Sequence, residues 1–274
     1  MKTIAITKNE AGQRLDKFLA KYLNLAPKSF LYKMLRKKNI TLNGKKADGS
    51  EKTALGDEVQ LFLSDETIEK FSSVRITPAH GNLDIVYEND DIILINKPCG
   101  MLSQKAKSTD VSLVDHLISY LMQKGCVTEQ SLQVFRPSVC NRLDRNTSGI
   151  AAAGKSLAGL QDMGEIFKNR SLHKYYLCLV YGEILEECLV KGYLSKNKKT
   201  NTVHITAEKQ NGESLPICTK YRPVSSGSGI TLLEVELITG RSHQIRAHLA
   251  SIGHPILGDG KYGLAAVNEQ FRRR

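Results

Sequence analysis

The sequence predicts an α+β protein in two parts. A small helix-helix-hairpin unit over residues 1–65 precedes a larger domain, residues 83–274, built on a mixed, largely antiparallel β-sheet, with residues 66–82 as the linker. Three observations predict this. Apolar residues near the start recur at helical spacing. From Leu83 onward helix and strand signals alternate irregularly. Between the two parts, the chain mixes charge, Ser, Thr, Pro78 and Gly81 with little apolar pattern.

The elements follow in order. Leu15, Phe18, Leu19, Tyr22 and Leu23 mark one face of a first helix. Pro27 and Ser29 punctuate, with Ser29 as the N-cap of a second, short helix. That helix carries Phe30, Leu31, Met34 and Leu35 inward and turns Lys33, Arg36, Lys37 and Lys38 outward. Ile40–Leu42 reads as a strand entering a tight turn at Asn43 and Gly44, because Asn-Gly supplies the positive-φ residues of such turns. Val59, Leu61 and Leu63 alternate as a closing strand. Residues 83–87 and 92–95 flank the polar turn 88–91 as a hairpin. Residues 114–122 fit a helix, and Tyr175–Tyr181 and residues 231–237 fit buried strands. The last three arginines make a short basic tail.

Composition narrows the function. At 41% hydrophobic and 24% charged residues, the 274-residue chain has the balance of a soluble globular protein. Its longest apolar run, Tyr175–Tyr181, is far short of the roughly 20 residues a membrane span needs. With no apolar stretch suited to an export signal, a cytoplasmic location is expected. The net charge of +11 favours a polyanionic partner, nucleic acid first. Residues 1–65 carry +6 of it, and residues 28–46 hold seven basic side chains and no acid. Cys99, Cys126, Cys140, Cys178, Cys188 and Cys218 show no C-x-x-C spacing, which suits reduced and mostly buried thiols.

Three segments could carry chemistry. Residues 140–150, C-N-R-L-D-R-N-T-S-G-I, set Asp144 between Arg142 and Arg145; taken alone, this also suits a surface capping acid. Residues 239–249, T-G-R-S-H-Q-I-R-A-H-L, followed by G-H-P-I-L-G-D at 253–259, are dense in Arg, His and Gln. His243, His248, His254 and Asp259 could form a metal site, or the stretch could be a solvated basic helix. Residues 174–182, K-Y-Y-L-C-L-V-Y-G, read as a core strand, although a Tyr at such a strand can also stack on a base.

Together the three segments resemble the RluA-type pseudouridine synthases, whose signatures are close to H-R-L-D-R-D-T-S-G, K-x-Y-L-A-L-V-x-G and T-G-R-x-H-Q-I-R-x-H-L with G-H-P-I-x-G-D downstream. They occur here in the family's order, and the resemblance covers nearly the whole chain. The N-terminal unit resembles the alpha-L (S-four-type) RNA-binding module. Two positions depart from the pattern: Asn141 stands where His is commonest, and Asn146 where Asp is.

The resemblance implies a pseudouridine synthase fold and an isomerase that converts uridine to pseudouridine in structured RNA, large-subunit ribosomal RNA first. It also implies Asp144 as the catalytic aspartate, Arg142 as the side chain that enters the stack in place of the flipped uridine, and Tyr176 as the residue stacking on the base. Arg246 would pair with the catalytic carboxylate, and Arg241 and His243 would contact phosphate or support structure. Lys33, Arg36, Lys37, Lys38, Lys45 and Lys46 would supply further phosphate contacts. Nothing is oxidised and no group is donated from outside, so no cofactor and no metal are expected. Neither an obligate protein partner nor an oligomer is expected. A non-catalytic RNA-binding ribosome-assembly factor, and a metal-dependent nuclease using the three histidines and Asp259, are the competing readings.

Overall fold

The N-terminal segment opens with β1 (Lys2–Ala5) and α1 (Leu15–Tyr22). The computed structural model describes all residues except Val74, Arg75, Lys198, Asn211, Glu213, Arg273 and Arg274. The last two arginines of the expected basic tail therefore lie outside the described residues. Helix α1 buries Leu15, Phe18, Leu19 and Tyr22, and Leu23 follows them into the core. Helix α2 (Lys28–Arg36) is capped by Pro27 rather than Ser29. Pro27 sits at φ −66°, a value its ring fixes, and Ser29 falls inside the first turn. Leu31, Met34 and Leu35 are buried, while Lys33, Arg36, Lys37 and Lys38 are exposed. Then come β2 (Ile40–Leu42), β3 (Lys45–Lys46) and β4 (Glu58–Leu61). Asn43 at φ 51° and Gly44 at φ 70° make the β2–β3 turn, as the dipeptide predicts. Strand β4 lies between β1 and β2, giving the antiparallel order β1-β4-β2-β3.

The segment read as a linker contains α3 (Asp65–Phe71). Ser64 caps it by accepting the Thr67 N–H, Ile68 is buried, and the Phe71 ring lies 4.6 Å from that of Phe30. Two apolar anchors in an otherwise charged run leave little periodicity to read, and packing rather than propensity makes this helix.

The chain divides into two compact units, residues 1–168 and 169–274. The rest of the first contains β5 (Ile85–Glu88), β6 (Ile92–Lys97), α4 (Leu113–Gln123), α5 (Glu129–Val134), β7 (Ser138–Val139), β8 (Gly149–Gly154) and α6 (Leu157–Asn169). Its antiparallel sheet runs β5-β6-β8-β7, and the expected 83–95 hairpin is the β5–β6 pair. Ile93 and Ile95 of β6, with Ala151 and Ala153 of β8, form one core with Leu113, Leu117, Ile118 and Leu121 of α4. The small side chains of β8 let this layer pack close. Val134 of α5 packs instead against the core formed by α1 to β4.

The second unit is a five-stranded antiparallel sheet. Its strands are β9 (Tyr175–Tyr181), β10 (Cys188–Asn197), β11 (Thr202–Thr206), β12 (Leu215–Gly227) and β13 (Ile230–Leu237), in the order β11-β10-β12-β13-β9. Helices α7 (Gln244–Ser251) and α8 (Ala265–Arg272) follow. Leu249 of α7 packs on Val180, Leu233 and Val235. Strand β13, expected to be buried, alternates buried Thr231, Leu233 and Val235 with half-buried residues, and β9 departs further from the expectation. Tyr176, Cys178 and Val180 face the core, while Tyr175, Leu177, Leu179 and Tyr181 are exposed, so β9 is a half-buried edge strand. Its outer edge is partly paired: Tyr181 donates to the Pro255 carbonyl and Leu257 to that of Leu179. The expectation of mostly buried thiols also fails for Cys99, Cys126 and Cys188, which are exposed. Among the described residues no helix is long and apolar enough to cross a membrane.

Candidate active site

Asp144 lies in the loop joining β7 to β8. Side chains and main chain from both sides fix this loop. Cys140 N–H donates to the Ala152 carbonyl at 2.7 Å. Asn141, at the position where His is commonest in the family pattern, accepts the Ala152 N–H at 2.7 Å and donates to the Ile150 carbonyl at 3.2 Å, tying the loop to β8. The Thr147 N–H closes a turn on the Asp144 carbonyl at 3.0 Å. Leu143 is buried, Asp144 is half-buried, and Arg142 and Arg145 are exposed. Beneath the loop lies Lys97, with no exposure at all; its ammonium donates to the carbonyls of Pro98, Met101 and Arg145. Burial pulls its pKa down, and the charges of Cys99 and Asp144 oppose that shift.

In the second unit, Tyr176 sits half-buried on the core side of β9, opposite Val235. Arg246 projects from α7. Its Nε and Nη2 donate to the two carboxylate oxygens of Asp259 at 2.7 and 2.9 Å, and its guanidinium lies 5.2 Å from the Tyr262 ring centre. Asp259 also accepts the N–H groups of Lys261 and Tyr262. Burial would raise its pKa, but these donors, Arg246 first, hold the carboxyl below its usual range. His243 caps α7 in the left-handed region, at φ 54°, and shares a 2.9 Å hydrogen bond with the Tyr262 hydroxyl. Gln244 fixes the turn before the helix: its Oε1 accepts the Thr239 hydroxyl and the Arg241 N–H, and its Nε2 donates to the Cys218 carbonyl and the Thr219 hydroxyl. Arg241 itself is exposed.

The four residues weighed as metal ligands are engaged elsewhere. Asp259 holds Arg246, His243 meets Tyr262, His248 is buried against the Thr219 hydroxyl, and His254 bonds the Tyr181 carbonyl. Among the described residues no group of three His, Cys, Asp or Glu side chains is placed to hold a metal ion. In the N-terminal segment, Lys33, Arg36, Lys37, Lys38, Lys45 and Lys46 are all exposed, on α2, just after it, and on β3. Sequence reasoning missed Lys97, which has no local motif in the three segments, and it read Asp259 as a possible metal ligand rather than as the carboxylate that holds Arg246.

The family described as RNA pseudouridylate synthase matches residues 91–251, a span that takes in Asp144, Tyr176 and Arg246. The chain belongs to that family. The synthase is therefore an RNA isomerase that forms pseudouridine, and the non-catalytic reading falls away. It is 31% identical over 280 residues to ribosomal large subunit pseudouridine synthase C of Escherichia coli (strain K12), covering 99% of this chain and 82% of the relative. The enzyme of the same name from Vibrio vulnificus (strain CMCP6) is 30% identical over 270 residues, covering 95% and 79%. Among solved structures, the synthase resembles human RNA pseudouridylate synthase domain containing 1 at 25% identity and TM-score 0.56, covering 69% of this chain and 73% of that one. Human RNA pseudouridylate synthase domain containing 4, at 22% identity and TM-score 0.55, shares the fold, covering 65% and 68%.

Proposed function

We propose that the synthase modifies uridines of large-subunit ribosomal RNA and that Asp144, Tyr176 and Arg246 are its catalytic residues. The observation that supports the substrate most is the match over 99% of the chain to a ribosomal large-subunit enzyme. In the reaction the bond from ribose to N1 of uracil breaks, the base turns, and a carbon–carbon bond forms from ribose to C5; C5 loses a proton and N1 gains one. No oxidant, reductant or donated group enters. The target base lies in a stacked RNA and must be flipped out, at a cost of a few kcal/mol. Arg142 filling the gap and Tyr176 stacking on the base would offset that cost. Asp144, as the carboxylate, attacks or deprotonates the ribose near its anomeric carbon, and the resemblance assigns Arg246, itself held by Asp259, to pair with that carboxylate. Arg241 and His243 are assigned to RNA contact or to the support of that site.

In the same reading residues 1–65 are an S-four-type RNA-binding module and residues 83–274 the catalytic domain. Lys33, Arg36, Lys37, Lys38, Lys45 and Lys46 hold phosphates and contribute affinity that falls with salt. The enzyme works in the cytoplasm as a monomer. Tritium release from RNA labelled at C5 of uracil tests the assignment: release from large-subunit ribosomal RNA and not from transfer RNA supports it, and the reverse moves the substrate to transfer RNA.

A further inference from the structure

Ser103 is 4% exposed, and its hydroxyl makes two hydrogen bonds to one residue. It accepts the Leu143 N–H at 3.0 Å and donates to the Leu143 carbonyl at 2.8 Å. A hydroxyl can do both, whereas an apolar side chain of similar size can do neither. On the other side of Asp144, the Arg145 carbonyl accepts the Gly100 N–H at 2.8 Å and the Lys97 ammonium at 3.2 Å. The Cys99 thiol donates to the Asn146 carbonyl at 3.3 Å. The residues before and after Asp144 are thus both fastened to one short loop, residues 97–103.

That loop is itself immobilised. Lys97 matches three ammonium donors to three carbonyls, which is how a lysine without exposure becomes tolerable. The Leu113 N–H donates to the Leu102 carbonyl at 2.7 Å, tying the loop to the start of α4. There Ser112 and the buried Asp115 form a capping box, and Lys105 reaches Asp115 at 3.1 Å. A rigid route therefore runs from the α4 terminus through Leu102 and Ser103 to the backbone of Asp144.

We infer that the 97–103 loop is a clamp setting where the Asp144 carboxylate stands, and that Ser103 and Lys97 are positioning residues for the isomerisation. This rests on Asp144 being the catalytic carboxylate. Neither residue needs to touch RNA. Their effect is on the approach of the carboxylate to the ribose, where a displacement of about 1 Å can cost on the order of a hundredfold in rate.

The test uses full-length protein and tritium release from whichever RNA the unmodified enzyme turns over. Ser103→Ala, Ser103→Thr, Lys97→Met and Asp144→Asn are compared, with kcat, KM and Tm measured for each. For Ser103→Ala the expected result is a folded protein whose kcat falls roughly ten- to a hundredfold while KM stays within about twofold, the pattern of a lost transition-state interaction. Ser103→Thr, which keeps the hydroxyl, restores most of kcat. Lys97→Met follows Ser103→Ala; if it does not fold, the Ser103 pair decides. Two results overturn the clamp: wild-type kcat in Ser103→Ala, or a loss that tracks Tm and is not recovered by Thr. If Asp144→Asn retains turnover, the assignment of Asp144 has failed; if it is inactive while Ser103→Ala is fully active, the clamp alone has failed.

Discussion

Asp259→Asn removes the charge that holds Arg246 and leaves the guanidinium in place. The wild-type pair is bidentate at 2.7 and 2.9 Å, with the Asp259 side chain 4% exposed and that of Arg246 26%. Breaking a fully buried ion pair costs about 3–5 kcal/mol. Water reaches Arg246 and Asn keeps one acceptor oxygen, so a loss of about 2 kcal/mol is expected here. For a chain of this size that lowers Tm by roughly 4–8 °C. The pH dependence has a definite sign. The Asp259 carboxyl is held below its ordinary value of 3.8 in the folded protein. Its contribution is therefore complete above about pH 5 and is lost as pH falls through the folded value. The stability gap between wild type and variant, read from urea midpoints, should be constant from pH 7 to 5 and narrow below pH 4. Turnover should fall roughly ten- to a hundredfold as Arg246 loses its fixed plane, with RNA affinity unchanged. Unchanged Tm and kcat, or a stability gap that persists undiminished at pH 3.5, would refute the reasoning.

Three further outcomes are expected. Glu88 accepts Lys155, Lys124 and Tyr120, and although burial raises its pKa these donors bring it to about 2. Glu88→Gln should cost about 1–2 kcal/mol, after discounting for the half-exposed Lys124; wild type should lose this advantage as pH falls from 4.5 toward 2, measured by acid unfolding. Alanine at Lys33, Arg36, Lys37 and Lys38 together should reduce the slope of log affinity against log salt by up to about 0.7–0.9 per lost phosphate contact, leaving kcat at saturating RNA intact; an unchanged slope removes this face from the RNA interface. Gly159→Ala would place a Cβ 2.1 Å from the Asp91 carbonyl oxygen, where α6 meets the β5–β6 turn, and should destabilise by about 1–3 kcal/mol in thermal melts.

Much of the fold was legible wherever a local rule dominates. The i, i+3, i+4 spacing from Leu15 to Leu23 places α1, and Asn43-Gly44 fixes the β2–β3 turn, because both depend on backbone sterics and one-sided burial. Where tertiary context decides, the reading fails. Helix α3 is held by Ile68 and Phe71 reaching a core built elsewhere. Strand β9 looks buried from its unbroken apolar run, yet it lies at a sheet edge and shows one face to solvent. At the site, motif residues stand in the sequence but their supports do not: Ser103 meets Leu143 across 40 residues, and Asp259 meets Arg246 across 13. Distances in sequence of that kind carry no periodic signal.

The central claim is that Asp144 drives an isomerisation of uridine. Tritium release from C5-labelled ribosomal RNA, in EDTA, with wild type beside Asp144→Asn, tests it most directly. The account predicts release by the first and none by the second, with RNA affinity preserved in both. Release that survives Asp144→Asn, or that disappears from the wild type when EDTA is added, would contradict it.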